Sequence, residues 1–94
     1  MANYLARIEL RLAGPEDYER LHLGMQQRGY VRHVTGEDGV TYQLPPGTYF
    51  VTGTSAVLHV ALNAAVDAAN ETGKSSAVLV TDWQSVRWSG LPEA

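Results

Sequence analysis

From Asn3 to Leu12 apolar and polar positions alternate. Tyr4, Ala6, Ile8, Leu10 and Leu12 fall on one side, Leu5, Arg7, Glu9 and Arg11 on the other. Successive side chains of a strand leave opposite faces, so this period predicts a half-buried β-strand. The period then changes. Gly14-Pro15 ends the strand and opens a helix: proline suits the first helical turn, and Glu16 and Asp17 sit at the positive end of the helix dipole. Tyr18, Leu21 and Met25 recur at helical spacing, and Gly29 is placed to end the helix in a left-handed conformation.

Tyr30 to Thr35 reads as a short strand, Gly36-Glu37-Asp38-Gly39 as a turn, and Val40 to Leu44 as the returning strand of a hairpin. Pro45-Pro46-Gly47 interrupts it, because proline cannot donate to a ladder. Thr48 to Thr52 is again β-prone, either a resumption of that strand after a kink or a separate short piece. Ser55 predicts the N-cap of a second helix, Ala56 to Thr72, which Gly73 ends. Its expected buried stripe is Leu58, Ala61, Leu62, Ala65 and Ala69, with His59, Asn63, Asp67 and Asn70 opposite. Ala77-Val78-Leu79-Val80 is a continuous apolar run, the pattern of a strand covered on both faces, within Ser76 to Thr81. Asp82 to Trp88 is a candidate extension of it, and Gly90 to Ala94 reads as a loose tail.

The order strand-helix-strand-strand-helix-strand predicts one α+β domain over residues 1–94, a ferredoxin-like βαββαβ sandwich. Right-handed crossovers place strands one and three at the centre of a four-stranded antiparallel sheet with both helices on one face. The other face is expected to be open, showing Leu5, Arg7, Glu9 and Arg11 on strand one. That mixture fits a wetted sheet face or a partner surface.

Composition narrows the functions. The chain has no cysteine, which excludes disulfides, thiolate metal sites and a cysteine nucleophile. Its first residues carry no signal-peptide pattern, and no apolar run reaches the roughly 18 residues of a membrane span, so a soluble cytoplasmic protein with no membrane partner is expected. Charged residues are only 18%, leaving more neutral surface than usual, and small domains often gain stability by pairing; a homodimer is the expected assembly. Ten acidic against seven basic residues leave a net charge of −3, unfavourable for nonspecific nucleic-acid binding but compatible with a local basic face.

No metal site or cofactor is expected: His22 and His59 lie on different helices, with no second ligand at metal spacing. His33 is the candidate catalytic residue. Beside Arg32, it could serve acid–base cleavage of RNA, with the 2′-hydroxyl as internal nucleophile and the arginine neutralising phosphate. Strand alternation would, however, point these two neighbours to opposite faces. Trp83 and Trp88 are candidates for base stacking or, with Leu5, for an interface.

Over nearly its full length the chain resembles the GhoS-type antitoxins. The likeness lies in the alternating first strand, the Glu16-Asp17-Tyr18 helix start, the hairpin ending in Tyr42-Gln43-Leu44-Pro45, and the closing Val78-Leu79-Val80-Thr81 followed by a tryptophan. The resemblance implies a ferredoxin-like fold and a sequence-specific endoribonuclease acting on a toxin messenger, with RNA as partner. The similar CRISPR-associated nucleases carry an acidic residue at the end of strand one. Here Arg11-Leu12-Ala13-Gly14 stands there and no carboxylate comes before Glu16, which argues against a metal-dependent mechanism. Arg7, Arg11, Arg28 and Arg32 are the candidates for phosphate contact. The alternative is a non-catalytic dimeric interaction module, paired through the open face or the tryptophan segment.

Overall fold

In the computed structural model, which describes all residues Met1–Ala94, the alternating segment forms β1 (Ala2–Leu10). Tyr4, Ala6, Ile8 and Leu10 are buried as their period requires. The strand stops short of Leu12, which takes a positive φ of 51° and stands 99% exposed; the chain is already turning, so Leu12 does not join the inward row. Next comes α1 (Pro15–Gln27), whose start is closed by the Asp17 carboxylate accepting the Gly14 N–H at 3.0 Å. It buries Leu21, Gly24 and Met25 and ends at Gly29, φ 88°.

The hairpin is β2 (His33–Thr35) and β3 (Thr41–Gln43). After it come β4 (Thr48–Thr54), α2 (Leu58–Asn70) and β5 (Ser76–Asp82). The expected four-stranded sheet is instead a three-stranded antiparallel sheet, order β4-β1-β5, and a separate two-stranded hairpin. The cause is the Pro45-Pro46-Gly47 corner. Gly47 adopts φ 79°, and its carbonyl accepts the Ile8 N–H at 2.8 Å, so the chain docks on β1 at the corner and pairs with it only afterwards. The hairpin meets β4 outside the named strands through one bridge, Val31 with Phe50, whose two hydrogen bonds are 2.7 and 2.9 Å.

Both helices lie on the face of β1 that carries Ala6 and Ile8. Leu21 and Met25 of α1 and Ala65, Ala68 and Ala69 of α2 form one core with β1, Tyr30 and Tyr49. The helices approach closely at Gly24, where a Cβ would lie 3.3 Å from that of Ala68. Ser55 does not cap α2. The helix starts at Leu58 with Val57 at the cap position and no side-chain cap, and the Thr54 hydroxyl accepts the Ala56 N–H instead. Leu58, expected in the stripe, is 47% exposed, because burial begins one turn further on at Ala61.

β5 is covered on one face only. Val78 and Val80 turn toward the helices, while Leu79 is 59% exposed on the side without a helix. The strand ends at Asp82 rather than extending through Trp88. Beyond it, residues 90–94 are not a loose tail. The Gln43 N–H donates to the Pro92 carbonyl at 2.8 Å, and the Ala94 N–H to that of Thr41 at 2.9 Å, so Glu93 forms an isolated antiparallel bridge with Tyr42 on the hairpin edge. The second sheet face is therefore only partly open. Phe50, across from Leu5 on that face, is buried against Trp83 with ring centroids 5.0 Å apart. No helix of the protein is long and apolar enough to cross a membrane.

Candidate functional site

One face of α1 presents Glu19, His22, Leu23 and Gln26, the i, i+3, i+4, i+7 spacing of a single helix surface. Opposite it run residues 30–33, tied to β4 by the Val31 bridge and to the hairpin by the Arg32 carbonyl, which accepts the Leu44 N–H at 2.8 Å and the Gln43 side-chain amide at 3.0 Å. Between the two walls lies a cleft of about 330 Å³. Arg32 and His33 both border it. The opposite-face rule does not separate them, since β2 begins only at His33 and Arg32 sits in the bend before it.

The His22 ring is held in place. Its Nδ1 lies 2.6 Å from the hydroxyl of Tyr49, a core residue with no exposure. Burial pushes the Tyr49 phenol far above its ordinary range, so this hydroxyl stays protonated; His22 Nδ1 is its one hydrogen-bond partner, and we assign the bond's proton to the hydroxyl on that ground. The proton of the neutral imidazole then belongs on Nε2, across the ring and away from Tyr49. Burial, and next the Arg32 charge, hold the His22 pKa below its ordinary 6.5, against a smaller upward pull from Glu19; at neutral pH the ring is an uncharged, oriented donor.

The four candidate phosphate-binding arginines do not form one patch. Arg28 is held by Glu71, at 2.9 and 3.3 Å, and by the Gly24 carbonyl. Arg7 donates to the Pro46 carbonyl at 2.6 Å on the far side of the sheet. Arg11 is exposed just past β1. The ion pairs of the molecule are Arg20–Asp17, Arg28–Glu71 and Lys74–Asp17, and Arg32 belongs to none of them. Of the candidate interface residues, Trp83 packs on Phe50, Trp88 tilts against Tyr42 at 5.7 Å, and Leu5 is half-buried. His59 is exposed on α2, and no three His, Cys, Asp or Glu side chains gather as a metal would need.

A second cleft, about 450 Å³, lies between the hairpin turn and residues 85–88. Its main acid is already engaged: Asp38 accepts the Val40 N–H at 2.9 Å and the Tyr42 hydroxyl at 2.8 Å, and both bonds hold its carboxyl below the usual range. The second cleft also carries Arg87, in no ion pair, beside Trp88; the first differs in setting a guanidinium in no ion pair beside an oriented imidazole. Sequence reasoning named Arg32 and His33, set His22 aside for want of a second metal ligand, and did not single out Glu19. The α1 spacing of Glu19, His22 and Gln26 was the available signal; Tyr49 carried none.

Fold and site thus define a small α+β domain with a cleft beside its first helix that Arg32, His22 and His33 border. No model of a known protein family matches the chain, and no curated protein is similar to it.

Proposed function

We propose that the protein is an RNA-binding regulator of the antitoxin type that holds a phosphodiester of a single strand in the cleft between α1 and residues 30–33. One observation carries the reading: Arg32, an arginine in no ion pair, and His22, an imidazole whose Nε2–H is left free by Tyr49, border the same cleft. A guanidinium and a fixed N–H donor suit a phosphate oxygen pair. Leu23 and Val31 add an apolar wall on which a base can rest. His33, exposed and bordering the cleft, would take the proton of a 2′-hydroxyl as that oxygen attacks phosphorus; the P–O5′ bond breaks to leave a 2′,3′-cyclic phosphate, and the departing 5′-oxygen takes its proton from water, with no metal required. The fold is read as ferredoxin-like in the same spirit. The isolated Val31–Phe50 bridge beside the free edge of β4 supports that reading, with the hairpin taken as continuing the order β4-β1-β5.

The test is titration of a mixed single-stranded RNA pool at low salt, followed by gel analysis for cleavage. Arg32→Ala should weaken binding about tenfold, as expected for loss of a charge-assisted contact, while Arg28→Ala should leave it unchanged. His33→Ala should abolish any cleavage without changing affinity. Absence of binding by the wild-type protein, or equal loss with both arginine variants, would remove this reading.

A further inference from the structure

The free edge of β5 is a self-complementary surface, independent of the cleft. β5 pairs only with β1 and closes the sheet on that side. The Ser75 carbonyl accepts the Arg11 N–H at 2.9 Å and the Trp83 N–H donates to the Asn3 carbonyl at 3.0 Å, so odd-numbered residues of this strand bond inward to β1. In an antiparallel ladder the alternate residues point their backbone groups the other way. Ser76, Val78 and Val80 therefore present unpaired N–H and C=O groups at the edge, and Asp82 an unpaired N–H, its carbonyl accepting a long 3.4 Å bond from the Thr81 hydroxyl. The segment carries none of the devices that usually blunt an edge: no proline, no bulge, and no charge between Ser76 and Thr81. Leu79 adds exposed apolar surface on the face without helices.

We infer that two copies of this chain pair through β5, antiparallel about a two-fold axis at Val78, joining their sheets into one. Charge selects both the partner and the register. Centred on Val78, the pairing sets Asp82 opposite Lys74 of the second copy, and by symmetry repeats the contact at the other end. Ser76 then faces Val80, and Val78 faces itself, all at edge-bonding positions on one face. Asp82 is exposed and forms no ion pair within the chain. Lys74 reaches only a long 3.9 Å contact with Asp17 and keeps 39% of its side chain exposed, so it is free to serve the second site. An isologous contact of this kind needs a surface complementary to itself, which this strand is.

Light scattering on a sizing column, across a concentration series, tests the inference. The wild-type chain should run at twice the mass of one chain at the upper concentrations. Asp82→Lys and Lys74→Asp should each set like charges opposite one another twice and weaken self-association roughly tenfold. Mixed in equal amounts, the two variants restore opposite charges at both ends and should recover the dimer. Val78→Pro removes an outward N–H that β1 does not use, and should give a monomer with an unchanged far-ultraviolet dichroism spectrum. A wild-type monomer throughout, single variants as dimeric as the wild type, or a mixture that stays monomeric would each overturn the inference. RNA binding plays no part in the readout, so its failure and this one are told apart.

Discussion

The Tyr49 hydroxyl and the His22 ring form a pair in which each satisfies the other. Tyr49 has no exposure and no other partner for its hydroxyl, so Tyr49→Phe leaves Nδ1 without a donor. The expected loss is about 1 kcal/mol of stability in denaturant melts, with weaker RNA binding because the ring is no longer oriented. The same ring makes stability depend on pH. Its folded pKa lies below the ordinary 6.5, so the unfolded chain takes the proton more readily. Its contribution is complete above that value and is lost as pH falls toward the lower folded value. Asp17, Asp38 and Glu71 are held below their ordinary values, Asp17 and Asp38 by backbone hydrogen bonds first and Glu71 by Arg28, and their contribution is lost only below about 4.5. Denaturation midpoints should therefore fall in two stages, and His22→Gln should remove the upper one. A wild-type profile that is flat until the carboxylates titrate would contradict this account.

Among the elements, the Pro45-Pro46-Gly47 corner decides which strand joins β1. Gly47 combines a left-handed backbone with a close approach in which a Cβ would run into the Ile8 carbonyl. Gly47→Ala should cost at least about 2 kcal/mol, more than the left-handed backbone alone explains. Gly39, also left-handed but with nothing near its Cβ position, provides the comparison: Gly39→Ala should cost only about 1–2 kcal/mol. Equal costs at the two sites would show that the Ile8 contact is unimportant. At the other end of the chain, the tail is tied to β3 of the hairpin by the Tyr42–Glu93 bridge. Deleting residues 90–94 removes the acceptor of the Gln43 amide, whose hydrogen exchange should accelerate while that of the Ile8 amide, bonded to Gly47, stays slow.

At the level of the whole molecule, one face of the sheet is filled by helices and the other is shared between the chain's own C-terminal segment and solvent. Trp83 carries much of that second layer through Phe50, yet its indole N–H is buried without an acceptor. Trp83→Ala should therefore cost about 2–4 kcal/mol, whereas Trp83→Phe should cost less than about 1.5 kcal/mol, because losing the unpaired N–H offsets part of the lost area. Charge acts at this scale as well. The chain is net acidic and its arginines are scattered, so RNA bound as proposed would be held by few cations. The affinity should fall with salt by a log–log slope of only about 0.7 to 1.5, the release of one or two counterions from a single strand. A slope several times steeper would mean a phosphate track elsewhere on the surface.

What the amino-acid order settled by itself was local. The two-residue period of β1, the proline and acidic start of α1, the glycine ends and the hairpin turn each depend on neighbours within a few residues, and each formed where that pattern placed it. The α+β class followed from the same periods. Tertiary structure decided what depends on distant groups. Thr48 rather than Val40 opens the strand beside β1, because the Gly47 carbonyl finds the Ile8 N–H. The tail is ordered by Thr41 and Gln43, roughly fifty residues away. The cleft exists because Tyr49 on β4 fixes a ring on α1 while a bend turns Arg32 and His33 toward it. No window along the chain contains those groups together; only packing brings Tyr49 within hydrogen-bond reach of His22 and sets Arg32 and His33 on the same cleft.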